Sequence, residues 1–376
     1  MDFSLSEGQE LLKRTARDFL EKECPKQLVR EMEEDDIGYS AQLWQSMAEL
    51  GWLALPFPES YGGNEGSFSD LVVLLEEMGR ACLPSPFVPT VVLGGLTILD
   101  MGSEEQKEEF LTRITRGDIV CTLALVEPVD SYSPAGISCQ AIADEDGYLL
   151  TGTKLFVPDA HIADYLVVSA RTGSGKAEQG ITLFLVEARS PGIDYTPLKT
   201  IADDKQFEVN LDSLKVPREC VIGEPGRAWR GVKRILERAA VAKCAEMVGG
   251  AQRVLDMTIS FAKERKQFGR PIGSFQAIQH YCANMATDVD ASRFNTYKAA
   301  WMIDEGLTCA KEVSIAKAWC SEAYRRVTAL GHQIHGAIGW TKDLDLELYT
   351  RRAKAAEIAF GDADFHREKI AQELGL

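Results

Sequence analysis

Apolar positions set the outline. Leu12, Ala16, Phe19 and Leu20 recur at helical spacing behind Ser6 and Gln9, a pair three residues apart that forms a capping-box signature, so the chain opens on an amphipathic helix. Similar periods run through 41–50, 69–78 and 104–115, separated by the turn-rich LPFPESYGG and LPSPFVP. Residues 1–119 therefore predict a helical domain. From Val120 the texture changes to short runs rich in Val, Ile, Leu, Phe and Tyr: YLLTGTKLFV, YLVVSAR, ITLFLVEA and FEVNLDSLKV. Phe207, Val209 and Leu211 alternate, and Gly, Asp and Pro fall between the runs, which predicts antiparallel strands in a small barrel or sandwich over 120–223. After GEPGRAW the helical period returns. Phe275, Ile278, Cys282, Met285 and Val289 step by three and four, the spacing of a long helix burying one face, and 224–376 predict a helical bundle. The expected fold class is α+β multidomain, helices then sheet then helices, with no internal repeat.

Composition narrows the partners. The 376 residues carry a formal net charge of -16, which repels phosphate backbones and anionic lipid, so neither nucleic acid nor a membrane surface is an expected partner. The nine cysteines are scattered and never form a C-x-x-C pair, and they read as reduced, mostly buried thiols. No apolar run approaches about 18 residues and the amino terminus lacks a basic-then-apolar signal, so a cytoplasmic location is expected.

The chemistry concentrates at two turns. In RKQFGRPIGSFQAIQH, residues 265–280, a helix is expected to end at Phe268 and Gly269, Pro271 bars its continuation, and a second helix opens near Phe275 with Gln276 and Gln279 in its first turn. An Arg265 guanidinium suits a diphosphate, a helix start adds positive field, and Phe268 can lie against a purine or ribose. The bland alternative is a solvated Arg265 and a core Phe268. QIHGAIGW, residues 333–340, adds Gln333, Ile334, a turn through Gly336, and Gly339 where backbone can approach a ligand.

These two stretches, with LPFPESYGG and the tail LYTRRAKAAEIAFGD, resemble the acyl-CoA dehydrogenase family over essentially the whole chain. The resemblance implies a helical domain, a β-barrel and a four-helix bundle assembled into dimers or tetramers, with FAD across a subunit boundary. It implies a carboxylate that takes the α-proton of an acyl-CoA while the β-hydrogen leaves as hydride to the flavin, and electron transfer flavoprotein as electron acceptor. It implies further that Arg265, Gln267, Phe268, Phe275, Gln333, Ile334 and Gly336 embrace the ADP part of a flavin whose ring lies in the neighbouring subunit.

Three family sites look altered. Where the family has T-E-P and then A-G-S-D against the flavin ring, this chain has LVEPVDSYSPAG, with Val126 for the threonine. Where it has W-I-T, this chain has Phe156, Val157 and Pro158; Phe156 can still stack, but Pro158 offers neither hydroxyl nor N–H. Aligned through RRAK, the catalytic glutamate's place falls to Phe360, between Ala359 and Gly361. Members with the base on another helix would place it at Ala239. Glu237 lies two residues away, about 200° around a helix. Glu246 lies two turns along the same face among apolar neighbours, where burial would raise its pKa, or it pairs with Lys243 or Arg238 as structure. Asp362 and Glu357 complete the candidates.

Three readings follow. The lent half-site is intact and the chain's own is eroded, which points to one subunit of a heteromeric enzyme with a paralogous partner. A self-sufficient homo-oligomer with a displaced carboxylate, and a non-catalytic scaffold, are the alternatives.

Overall fold

The computed structural model describes residues 4–129, 132–173 and 178–376. Helices α1 (Glu7–Glu23), α2 (Lys26–Glu34), α3 (Ala41–Glu49), α4 (Phe68–Ala81), α5 (Leu96–Met101), α6 (Glu104–Gln106) and α7 (Thr112–Thr115) come first. Strands β1 (Cys121–Ala124) to β8 (Val221–Ile222) follow, and α8 (Trp229–Glu264), α9 (Gln276–Asp304), α10 (Ala310–His335), α11 (Leu346–Ile358) and α12 (Ala363–Glu373) close the chain. Two compact units are present: Met1–Glu31, Ser67–Leu83 and Ala240–Leu376 in one, Met32–Gly66 and Pro84–Ala239 in the other.

The mainly helical unit begins with the expected capping box, Ser6 and Gln9 satisfying each other's backbone N–H. Glycines let α4 and α8 touch backbone to backbone: a Cβ on Gly249 would lie 1.7 Å from the Glu76 carbonyl oxygen, and one on Gly79 2.1 Å from that of Glu246. The Glu76 carboxylate is buried and accepts from Lys13 of α1 (3.0 Å) and from Tyr297 (2.8 Å) and Arg293 (3.3 Å) of α9. Burial alone would raise its pKa; Arg293 and Lys13 outweigh that and hold it below the usual carboxylate range. One carboxylate thus ties three helices.

A second buried cluster holds the end of α11. The Lys317 ammonium of α10, fully buried, donates to the carbonyls of Glu357 (3.0 Å) and Gly361 (2.8 Å) and to Ser321 Oγ (3.1 Å). His366 of α12 bonds the Phe360 carbonyl through Nε2 (3.0 Å) and Ser314 Oγ through Nδ1 (3.2 Å). Side chains therefore supply the donors that a helix C-terminus lacks. Burial lowers the Lys317 pKa to about 8, and burial with the neighbouring Lys317 lowers that of His366 to about 3.

In the other unit one sheet runs β6 (Ile193–Leu198), β7 (Gln206–Pro217), β3 (Gly147–Pro158), β2 (Gln140–Asp144), β4 (Tyr165–Arg171), β5 (Ile181–Glu187), β8, with β1 beside β4. Most pairs are antiparallel as expected, and Phe207, Val209 and Leu211 of β7 point inward in alternation. The all-antiparallel expectation needs correcting: β1 and β4 pair in parallel, as do β2 and β4 at Gln140 and Arg171. β4 and β5 are buried on both faces, so their sequences read as continuous apolar runs without alternation. The helix expected over 104–115 is interrupted by a π-turn at Lys107–Leu111.

Inside this sheet Lys154 and Glu127 form an ion pair (2.5 Å), both buried. Glu127 also accepts from Ser138 N and Oγ (2.8 and 2.6 Å) and Cys139 N, and Lys154 donates to Ser169 Oγ (2.9 Å). Burial would raise the Glu127 pKa, but Lys154 and the Ser138 donors hold it below the usual range. Each charge is satisfied, the condition under which a buried pair is tolerated.

Removing one partner leaves the other charge stranded, so Lys154→Met is expected to cost about 3–5 kcal/mol in urea unfolding, and adding Glu127→Gln to restore part of it; a loss of a few tenths would show the pair to be dispensable. His366 is neutral in the fold and takes a proton in the unfolded chain near pH 6.5, so its contribution is full above that pH and lost as pH falls toward about 3. Stability measured from pH 7.5 to 4 should fall less steeply in His366→Gln, and superimposable acid limbs would exclude this role.

Candidate functional site

The corner at 265–280 is built differently from the expectation. α8 stops at Glu264, not at Phe268, because Lys266–Gln267 pairs antiparallel with Arg270–Pro271 in a two-residue hairpin. Its tip residues Phe268 (φ 55°) and Gly269 (φ 79°) both take left-handed conformations, as a tight hairpin turn requires. Phe268 is not core: it is 90% exposed, its ring 6.1 Å edge-on from Phe275. Phe275 is the N-cap of α9 rather than its first residue, and the Arg270 guanidinium lies over its ring at 4.1 Å. Of the expected apolar stripe on α9, Met285 and Val289 are buried, while Phe275, Ile278 and Cys282 are half-buried.

Stacking joins this corner to the second turn. Phe261, one turn before Arg265, lies against His335 at 4.4 Å, and His335 ends α10 directly before Gly336. Gly336 has φ 67° and nothing within 4 Å of a would-be Cβ, so a ligand could reach its backbone. Arg265, Gln267 and Gln333 are exposed, and among the described residues their side chains make no hydrogen bond or ion pair. Ile334 is buried, so a ligand could meet only its main chain. Unengaged donors around an open glycine turn, beside the start of α9, fit the diphosphate and adenosine of a dinucleotide.

The expected base positions fit less well. Phe360 (φ 57°) and Gly361 (φ 97°) form a left-handed turn held by Lys317 and His366, and a phenyl ring accepts no proton. Asp362 caps α12 by accepting from Phe365 N (2.9 Å). Glu357 pairs with Lys354 (3.1 Å) and Arg325 (3.7 Å). Glu246 is not deeply buried: its side chain is 25% exposed and ion-paired with Lys243, while Arg238 binds Asp100. Glu237 is half-buried and engaged.

The expected ring-holding segments meet in the sheet unit. Leu155 N donates to the Val126 carbonyl (2.8 Å), which brings Val126 and Phe156 together. Phe156 sits on a bulge between Lys154 and Val157, at φ 52° and 59% exposed, free to lie against a planar ligand. Val126, Glu127, Tyr132 and Trp229 line a small cavity there. Asp130 and Ser131 of VDSYSPAG lie outside the described residues. Periodicity and motif spacing do not single out Lys154, Lys317, His332 or Trp340. A lysine inside an apolar run, as in TKLFV and SIAKAW, was the available signal for the first two.

Comparison with known proteins agrees across the length. Models of the acyl-CoA dehydrogenase N-terminal, middle and C-terminal domains match residues 6–118, 122–213 and 226–375. A probable acyl-CoA dehydrogenase of Bacillus subtilis (strain 168) is 33% identical over 100% of both chains. Butyryl-CoA dehydrogenase of Megasphaera elsdenii superposes with a TM-score of 0.92 at 29% identity, covering 100% of both chains. The ChsE4-ChsE5 complex of Mycobacterium tuberculosis gives 0.91 at 29% identity, covering 100% of this chain and 99% of that one. No helix among the described residues is long and apolar enough to cross a membrane. With three domain models in order, full-length relatives and the matching fold, the chain belongs to the acyl-CoA dehydrogenase family, FAD flavoproteins that oxidise or reduce the CH–CH bond of acyl-CoA thioesters.

Proposed function

We infer that this chain is one of two kinds of subunit in a heteromeric acyl-CoA dehydrogenase acting in α,β-desaturation of an acyl-CoA, and that it grips the ADP part of a FAD whose ring and base belong to a paralogous partner. One contrast carries the reading. Arg265, Gln267 and Gln333 stand exposed and uncommitted around Gly336, whereas the turn expected to hold a base presents Phe360, and Asp362, Glu357, Glu246 and Glu237 are each committed elsewhere. The similarity to the ChsE4-ChsE5 complex supports a two-component assembly.

In this reading Arg265 neutralises and orients the diphosphate by charge-assisted hydrogen bonds. Gln333 adds amide hydrogen bonds, Gly336 admits the ligand to the backbone, and Phe268 packs on the ribose side. The bound flavin would accept the substrate's β-hydride, and electron transfer flavoprotein would then oxidise it. A self-sufficient enzyme using Glu246 is the second reading, favoured only by the partial exposure of that carboxylate.

Expressed alone, the chain should purify without stoichiometric flavin and become yellow when co-expressed with its partner; full flavin and bleaching by acyl-CoA in the isolated chain would refute the heteromer. In the assembled enzyme Arg265→Ala should weaken FAD about 10- to 100-fold, the cost of one charge-assisted bond. Glu246→Gln should leave turnover within about twofold, and its abolition in a folded protein would move the base to this chain.

A further inference from the structure

Trp340 closes the Gly336–Trp340 turn and is 69% exposed, yet its ring is not loose. It lies on the His332 imidazole at 3.9 Å between centroids and 14° between planes, a parallel stack. His332 is 5% exposed and its Nε2 meets Thr350 Oγ1 of α11 at 2.7 Å, which fixes the imidazole in its plane. Burial also lowers the His332 pKa, so the layer behind the indole is a neutral ring. The turn between them has little freedom, because Gly339 is buried and a Cβ there would come within 3.1 Å of His335 Cβ and 3.2 Å of His332 Nδ1. Thr350, His332 and Trp340 thus form a supported stack whose last face is open to solvent. It stands on the same turn as Gly336 and next in the chain to Gln333.

We propose that the open face of Trp340 is the stacking surface for the adenine of the dinucleotide, so that this residue, not the polar groups alone, makes the corner prefer an adenine nucleotide over a bare diphosphate. The inference rests on the reading that the corner grips the ADP part of FAD. A flat indole held by a second ring matches a purine in shape and area, and base–aromatic stacking supplies affinity without requiring hydrogen-bond partners. Pre-ordering by His332 and Thr350 lowers the entropy lost when the base docks. An exposed Trp could instead pack against another subunit, and the test separates the two.

The assembled enzyme, stripped of flavin, is titrated with FAD, ADP and inorganic pyrophosphate while its tryptophan emission and its mass in solution are followed. Trp340→Ala is expected to weaken FAD and ADP about 5- to 100-fold and leave pyrophosphate unchanged. Trp340→Phe should keep most of the affinity and lose the ADP-dependent quenching, and His332→Ala should fall between. Arg265→Ala should weaken all three ligands. ADP bound equally by wild type and Trp340→Ala overturns the inference and leaves the grip standing, as does a change of mass in Trp340→Ala with ADP affinity unaltered. Failure of the wild-type protein to bind either FAD or ADP overturns the grip and the inference with it.

Discussion

The stack of Phe261 on His335 is the contact on which the corner depends. Arg265 lies at the end of a 36-residue helix and Gln333 near the end of another, with 67 residues of chain separating them. Two helix ends meet reliably only if something rigid sets their separation. An aromatic pair does this by area and shape, and both rings sit one turn or less from the groups they position. The same long helix is fixed to α4 with no side chain between the two backbones, at Gly79 and Gly249, and the buried Glu76 then fastens α4 to α1 and α9. The corner is therefore supported by packing that begins far from it.

The turn after α11 obeys a different logic. Its carbonyls at 357, 360 and 361 are satisfied by Lys317 and His366, not by the side chain at 360. Lys317 keeps these bonds in either charge state. As an ammonium it donates to all three acceptors, and as an amine it can donate two and accept from Ser321. The backbone that would present a base is thus independent of whether a base is there. The helix end is therefore held whichever side chain stands at 360.

Local signals were legible in the chain and non-local ones were not. The capping box at Ser6 and Gln9 and the alternation of Phe207, Val209 and Leu211 involve neighbours within a turn or a strand, so composition and spacing reveal them. The 266–271 hairpin did not show, because two-residue strands carry no period and Phe268 is an uncommon choice for a left-handed tip. The parallel pairing of β1 with β4 joins segments about 40 residues apart, beyond any window of periodicity. For the site, motif resemblance located Arg265, Gln333 and Gly336. It could not tell that Glu246 would be a quarter exposed and paired with Lys243 rather than buried, since that depends on which face of α8 its neighbours cover.

Phe360 sits in a region of backbone space that glycine and asparagine occupy easily and a phenyl-bearing residue does not. Drift governed by folding alone would settle such a position on one of the small permissive residues and gain about 1 kcal/mol. A phenylalanine stands there nonetheless, its backbone held by His366 at the carbonyl of 360 and by Lys317 at that of 361. The shape of this turn is therefore imposed by the helices around it and not by the residue that occupies it.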